Sequence, residues 1–146
     1  MKRILFIIAL VMAVVTANAQ ISAILGDWET VDDNTGDHLS VVHIYKATDG
    51  LYYGKVVRIL KAGHEDDKCT QCEGEDHLKP IAGMNIIRGM KADGDELVGG
   101  RVLDPNNGKT YYARLYMKDG KLVLRGSLDK RGFLGRNQTW VRAKQQ

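Results

Sequence analysis

The sequence predicts an all-β protein: a single small antiparallel up-and-down barrel of about eight strands. Three observations carry the prediction. Asp49-Gly50, Asp93-Gly94, Asn107-Gly108 and Asp119-Gly120 recur along the chain, and both residues of such a pair tolerate the positive φ of a type I′ hairpin turn. The stretches between them are rich in β-branched, aromatic and aliphatic residues that alternate in twos, with no long helical period. The only prolines, Pro80 and Pro105, fall between the predicted strands.

The first nineteen residues stand apart. Lys2 and Arg3 give a basic start, Ile4 to Val15 is an almost unbroken apolar run, and Ala17-Asn18-Ala19 is a small-x-small cleavage site. Residues 1–19 therefore read as a cleaved signal peptide, with Gln20 opening an exported periplasmic or secreted protein. The apolar run is short of the roughly 20 residues that a membrane helix needs. No cysteine follows the cleavage site to take a lipid anchor, and no transmembrane segment is expected once the signal is gone.

Residues 20–146 suit one domain with one core. The first strand, Leu25–Val31, carries Gly26-Asp27-Trp28, and the second, Leu39–Lys46, is built on Val41, Val42 and Ile44. After Asp49-Gly50 comes Leu51–Leu60, then a long irregular loop at 61–84 with both cysteines and two of the four histidines. Loops of that length are uncommon in compact domains and are often functional. Asn85–Met90 and Glu96–Asp104 follow, joined at Asp93-Gly94. Asp104 to Lys109 reads as a turn, since Pro105 fixes φ and Gly108 supplies a left-handed position. It lacks the regularly spaced carboxylates of a calcium loop.

In Lys109–Met117, Tyr111, Ala113, Leu115 and Met117 oppose Thr110, Tyr112, Arg114 and Tyr116. In Lys121–Leu128, Leu122, Leu124 and Leu128 oppose Val123, Arg125 and Ser127. A basic connection, Asp129 to Arg136, centres on Phe133 and Leu134 and leads to Asn137–Arg142. A flat meander would expose two edges, which closure into a barrel removes; an open sandwich is the alternative.

The formal net charge is +3, but without Lys2 and Arg3 it is 19 basic against 18 acidic residues. Near-neutrality without a basic stripe argues against a nucleic-acid partner. The sequence implies no cofactor and sets no oligomeric state.

Gly26-Asp27-Trp28 on the first strand and Trp140-Val141-Arg142 on the last resemble the end closure of lipocalins. That resemblance implies a Trp28 ring across the closed end with Arg142 packed over it, a contact worth about 0.5–2 kcal/mol. Packing of Trp28 and Trp140 as ordinary core residues of neighbouring strands is the other reading; both are structural. A broader resemblance runs from Gly26 to Arg142. It rests on Leu51 to Gly54, Ile86 to Met90, Gly99 to Tyr111, Leu124-Arg125-Gly126 and Gly135-Arg136 through Arg142. These segments are similar to a bacterial family catalogued as domain of unknown function 2147, which implies a small exported β-rich protein and no particular activity.

His64, Cys69, Cys72 and His77 form H-x4-C-x2-C-x4-H inside the long loop. Two thiolates and two imidazoles suffice for tetrahedral zinc. An oxidising compartment instead favours joining the only two cysteines. Six carboxylates, from Glu65 to Asp76, surround the pair and disfavour the thiolate that redox catalysis needs. A Cys69–Cys72 disulfide is therefore the first expectation and a metal site the alternative.

For function, an eight-stranded barrel is just wide enough to hold one small ligand, with the long loop as a lid. Tyr45, Tyr53, Tyr112 and Tyr116, with His43, Arg114 and Arg125, are the candidate polar anchors for a small hydrophobic or amphipathic molecule. Which strand face points inward is left open by the sequence. An enzyme is the less favoured class: Ser22, Ser40 and Ser127 are the only serines and none sits in a glycine elbow. Acid–base chemistry would fall to His43 with Tyr112 or Arg114. The third class is an interaction or structural module of the envelope, docking through Phe133-Leu134 or the acidic loop.

Overall fold

A computed structural model describes residues 18–145. Most of the predicted signal peptide lies outside them. Eight strands follow a short helix at 18–24: β1 (Gly26–Val31), β2 (His38–Lys46), β3 (Tyr52–Ile59), β4 (Asn85–Asp93), β5 (Glu96–Asp104), β6 (Lys109–Lys118), β7 (Lys121–Ser127) and β8 (Gly135–Arg142). Each pairs antiparallel with its sequence neighbour, and β8 returns to β1 through Trp28↔Arg142 and Glu29↔Val141. The hairpin signals give the meander, and the barrel is closed, as the removal of exposed edges leads one to expect.

Strand limits differ from the sequence reading at a few ends. β4 runs past Met90 to Asp93, because Lys91, Ala92 and Asp93 continue the ladder with Val98, Leu97 and Glu96 down to the turn. β8 starts early, at Gly135, which pairs with Ser127. Leu128 leaves β7 altogether and is exposed.

An up-and-down order sends successive connections to opposite ends. One end, the base, receives the helix at 18–24 and the three Asp-Gly hairpins at Gly50, Gly94 and Gly120. The other, the rim, receives the β1–β2 connection, the 60–84 loop, the Asn107-Gly108 turn and the β7–β8 loop.

Ile21 and Ile24 from the helix, with Trp28 and Trp140, are buried at the base. The Trp28 indole N–H donates to the Ile24 carbonyl at 2.8 Å, so the ring's one polar group is satisfied. The Arg142 guanidinium carbon lies 3.9 Å from the Trp28 ring centroid. Its two terminal nitrogens donate to the carbonyls of Leu25 at 2.8 Å and Ala23 at 2.5 Å, tying the helix to the strand. Gly26 has a φ of +106°, and a Cβ there would stand 2.9 Å from Arg142. The glycine of G-x-W thus lets the chain turn beneath the cation.

Candidate functional site

The inner wall is set by alternation. Val42 and Ile44 from β2, Tyr52 and Val56 from β3, Ile87 and Met90 from β4, Leu97 from β5, Ala113 and Leu115 from β6, and Leu122 and Leu124 from β7 all belong to one buried apolar cluster. Met117 and Tyr111 pack against it. Tyr52, at the start of β3, brings a phenol to the base end of this wall, and further polar groups lie toward the rim. There the buried Thr30 hydroxyl meets the Ser40 hydroxyl at 2.8 Å, and the Tyr111 hydroxyl accepts from the Asn107 amide at 3.0 Å. The wall is close-packed at two of its glycines: a Cβ at Gly54 would stand 2.9 Å from Ile87, and one at Gly100 would collide with the Arg88 carbonyl and the Met90 sulfur.

The rim is covered by the β3–β4 loop. It folds back on itself, with the Cys69 N–H donating to the Lys79 carbonyl at 2.8 Å, Leu78 N–H to Cys69 at 3.0 Å and Ile81 N–H to Asp67 at 3.0 Å. Cys69 and Cys72 are joined in a disulfide and are buried with the core cluster. Cys69 Sγ rests 3.6 Å from the Pro105 carbonyl oxygen, so the bridge sits against the β5–β6 turn. A short 3-10 turn, Gly74–Asp76, follows. The Asp76 carboxylate accepts both terminal nitrogens of Arg88 on β4, at 2.9 and 3.1 Å. This bond to Arg88 holds the Asp76 carboxyl below its ordinary range. Arg88 and Asp76 latch the cover to the barrel wall; arginine and aspartate are common surface residues, and only the placement of Arg88 within Ile86 to Met90 hinted at a role.

The candidate anchors fall on the other side of the wall. His43, Tyr45, Tyr53, Tyr112, Arg114, Tyr116 and Arg125 all alternate against buried neighbours, and so lie on the outer face. An outward residue cannot line the interior, and the physical reason is period two: once Val42, Ile44, Ala113 and Leu115 turn in, these must turn out. On the outside they form two groups. His43, Tyr45 and Tyr53 stack in a row with ring centroids 5.9 and 6.0 Å apart. His43 Nδ1 is 2.6 Å from Asp27, the Tyr45 hydroxyl donates to Asn85 at 3.0 Å, and the Tyr53 hydroxyl donates to Asp49 at 2.6 Å. The Tyr53 bond lowers the Asp49 carboxyl and raises the Tyr53 phenol.

Tyr112, Arg114, Tyr116 and Arg125 sit on β6 and β7, four and three strands away from His43 around the closed barrel. The pairing of His43 with Tyr112 or Arg114 for acid–base chemistry is therefore not assembled. Arg101 stacks over Tyr112 at 3.7 Å instead, and Arg114 lies 3.6 Å from Glu96. Arg125 donates to the Gly132 carbonyl at 2.7 Å and to Asn137 at 3.0 Å, bracing the β7–β8 loop.

The alternative metal set is likewise not brought together. Both sulfurs are spent on each other. His64 turns to Asp67 at 2.7 Å, and His77 Nδ1 lies 2.9 Å from the Cys72 carbonyl. No group of three metal-ligating side chains converges among the described residues.

Two clefts open on the outer wall. One of about 920 Å³ runs beside Asp27, Val41, Val57, Arg58 and Lys144; the other, about 380 Å³, lies between the cover and β4 at Asp76, Lys79, Asn85 and Arg88. No helix among the described residues is long and apolar enough to cross a membrane.

A family model described as an uncharacterized protein conserved in bacteria, domain of unknown function 2147, matches residues 26–142. A solved Helicobacter pylori protein, HP1028, described as belonging to the lipocalin family, superposes with a TM-score of 0.71 at 23% identity, with 82% of each chain covered. At that identity the likeness is one of fold. No curated protein matches the chain.

Proposed function

The chain belongs to the uncharacterized bacterial family of domain of unknown function 2147, and from that premise we propose that it is an exported envelope protein that takes a small hydrophobic or amphipathic molecule into its barrel. Residues 1–19 would be removed on export, leaving a single barrel domain in the periplasm or secreted. The observation that carries the reading is the inner wall, predominantly apolar from Trp28 upward apart from the Tyr52 phenol, with the Thr30–Ser40 hydroxyl pair near the rim. That order suits an apolar body below and a polar group above. Met84, Met90 and Met117 belong to or border the interior, and thioether side chains are the ones that most readily make way for a guest. Entry would require the 61–84 cover to lift, breaking the polar Asp76–Arg88 latch and unseating Cys69 and Cys72 from the core cluster.

Native mass spectrometry of the protein purified from the envelope tests this. The reading expects a first residue of Gln20 and an added small-molecule mass that organic extraction removes. Protein that carries no added mass and takes up no fluorescent fatty-acid probe, even with the cover loosened by Asp76→Asn, would end it.

A second reading draws on the crowding at Gly54 and Gly100. Side chains packed this closely at the inner wall suit an interaction or structural module that works through its outer surface. The same spectra favour it if only the bare chain mass, or that of a complex between proteins, is seen.

A further inference from the structure

The largest apolar exposure on the described chain is concentrated in the β7–β8 loop. Leu128 is 70% exposed, Phe133 77% and Leu134 67%. The exposure is built in. The Asp129 carboxylate accepts the backbone N–H groups of Phe133 at 3.1 Å and Leu134 at 2.7 Å. The Leu128 N–H closes the loop onto the Leu134 carbonyl at 2.9 Å, and Arg125 holds the Gly132 carbonyl. With the backbone fixed this way, the two apolar side chains project from the rim instead of folding onto the barrel. A firm loop that presents Phe and Leu to water has surface left to bury elsewhere.

Charge says against what. Lys130, Arg131 and Arg136 flank the tip and are exposed, and none of the ion pairs among the described residues engages them. Asp129 is the one acidic residue of the segment, and its carboxylate is turned inward onto the loop's own amides, which hold it below its ordinary range. Protruding apolar groups inside a ring of free cations match a surface that is anionic outside and apolar just beneath. That is the profile of an anionic bilayer. The acidic β3–β4 cover belongs to strands on the opposite side of the closed order, so the molecule can lean on its basic side without pressing that loop to the headgroups.

We propose that the β7–β8 loop docks the protein on anionic lipid membranes, with Phe133 and Leu134 entering the boundary of the acyl layer and Lys130, Arg131 and Arg136 meeting the headgroup phosphates. The inference is independent of whether the barrel holds a ligand.

Phe133→Trp supplies the probe. Trp28 and Trp140 are 0% and 1% exposed, so a new indole at 133 dominates any response to added lipid. Phosphatidylglycerol-containing vesicles should shift its emission to the blue, and lipids brominated in the acyl chain should quench it. Pure phosphatidylcholine should do neither. Replacing all three flanking cations, Lys130→Glu with Arg131→Glu and Arg136→Glu, should weaken partitioning by on the order of a hundredfold or more. These side chains are exposed, and an unchanged circular dichroism spectrum verifies the fold. Emission unchanged on anionic vesicles, equal binding to neutral ones, or a blue shift that grows with protein concentration in the absence of lipid would each overturn the proposal; the last would mark the loop as a contact between copies. A chain held to the vesicle only by an uncleaved leader is attached at the base, so it leaves the indole at 133 in water and counts against docking.

Discussion

Gly108 on the β5–β6 turn lies against the Gln71 carbonyl of the rim cover, with no space for a side-chain carbon between them. Its φ of +70° is one that glycine alone adopts freely. Two constraints therefore meet at one residue, and they explain the glycine of Asn107-Gly108 better than the turn alone does. Gly108→Ala should cost about 1–3 kcal/mol through the backbone and lift the cover as well. Amide hydrogen exchange at Cys69, Leu78 and Ile81 should quicken while the barrel strands stay protected. Unchanged exchange in the loop would separate the glycine from the cover.

The base yields the second prediction. Trp28→Ala removes a fully buried ring and should cost about 3–5 kcal/mol in denaturant unfolding. Arg142→Lys keeps the charge but loses the planar stack and one of its two carbonyl bonds, so a loss of about 1 kcal/mol is expected. A Trp28→Ala protein as stable as wild type would show that the base does not depend on the ring.

Protein purified without reductant should show an intact mass two hydrogens below the reduced chain, from the Cys69–Cys72 bridge. By loop-closure entropy such a short ring contributes only about 2 kcal/mol. Replacing both cysteines with alanine should therefore loosen the rim and leave the barrel folded. A free-thiol protein that holds stoichiometric zinc, and loses it when His64 and His77 are replaced, would contradict the bridge.

Acid should open the latch. The Asp76 carboxyl has its pKa lowered by Arg88 in the folded chain, so its contribution is complete above the unfolded value and is lost as pH falls through the folded one. Below about pH 4, limited proteolysis within 61–84 should rise in the wild type. In Asp76→Asn it should be high already at neutral pH and change little with acid. Both partners are partly exposed, with side chains 22% and 39% accessible, so added salt should weaken the latch in the same direction. A cover equally resistant at both pH values would show that the ion pair does not hold it.

The strands were legible because the hairpin turns are local: Asp49-Gly50, Asp93-Gly94, Asn107-Gly108 and Asp119-Gly120 each mark a connection that needs no distant information. Which side of each strand faces in was not. Outer positions carry Tyr45, Tyr53, Tyr112 and Tyr116, inner ones Tyr52, Tyr111 and Ala113, so size and polarity do not sort the faces as they do in a barrel with charged walls. Bulges add to this, since register shifts between Val41 and Val42, and between Leu97 and Gly100, break simple alternation. The cysteine bridge could be read from composition and the compartment that the sequence leads one to expect. The Asp76–Arg88 latch could not, because it joins a loop to a strand through two residues that have no local reason to meet.

The arrangement at the base also fixes which way the molecule faces. Residues 18–24 enter there, and Ala143 leaves beside Asp27, to whose carbonyl its N–H donates at 3.0 Å. Both ends of the described chain thus emerge side by side, opposite Phe133 and the cover. Anything that tethers the protein by either terminus holds its mouth pointing away from the point of attachment, whereas a molecule resting on its β7–β8 loop points the mouth down. A tethered copy and a docked copy on one membrane would be turned in opposite senses, and cutting the tether would be enough to let the protein turn over.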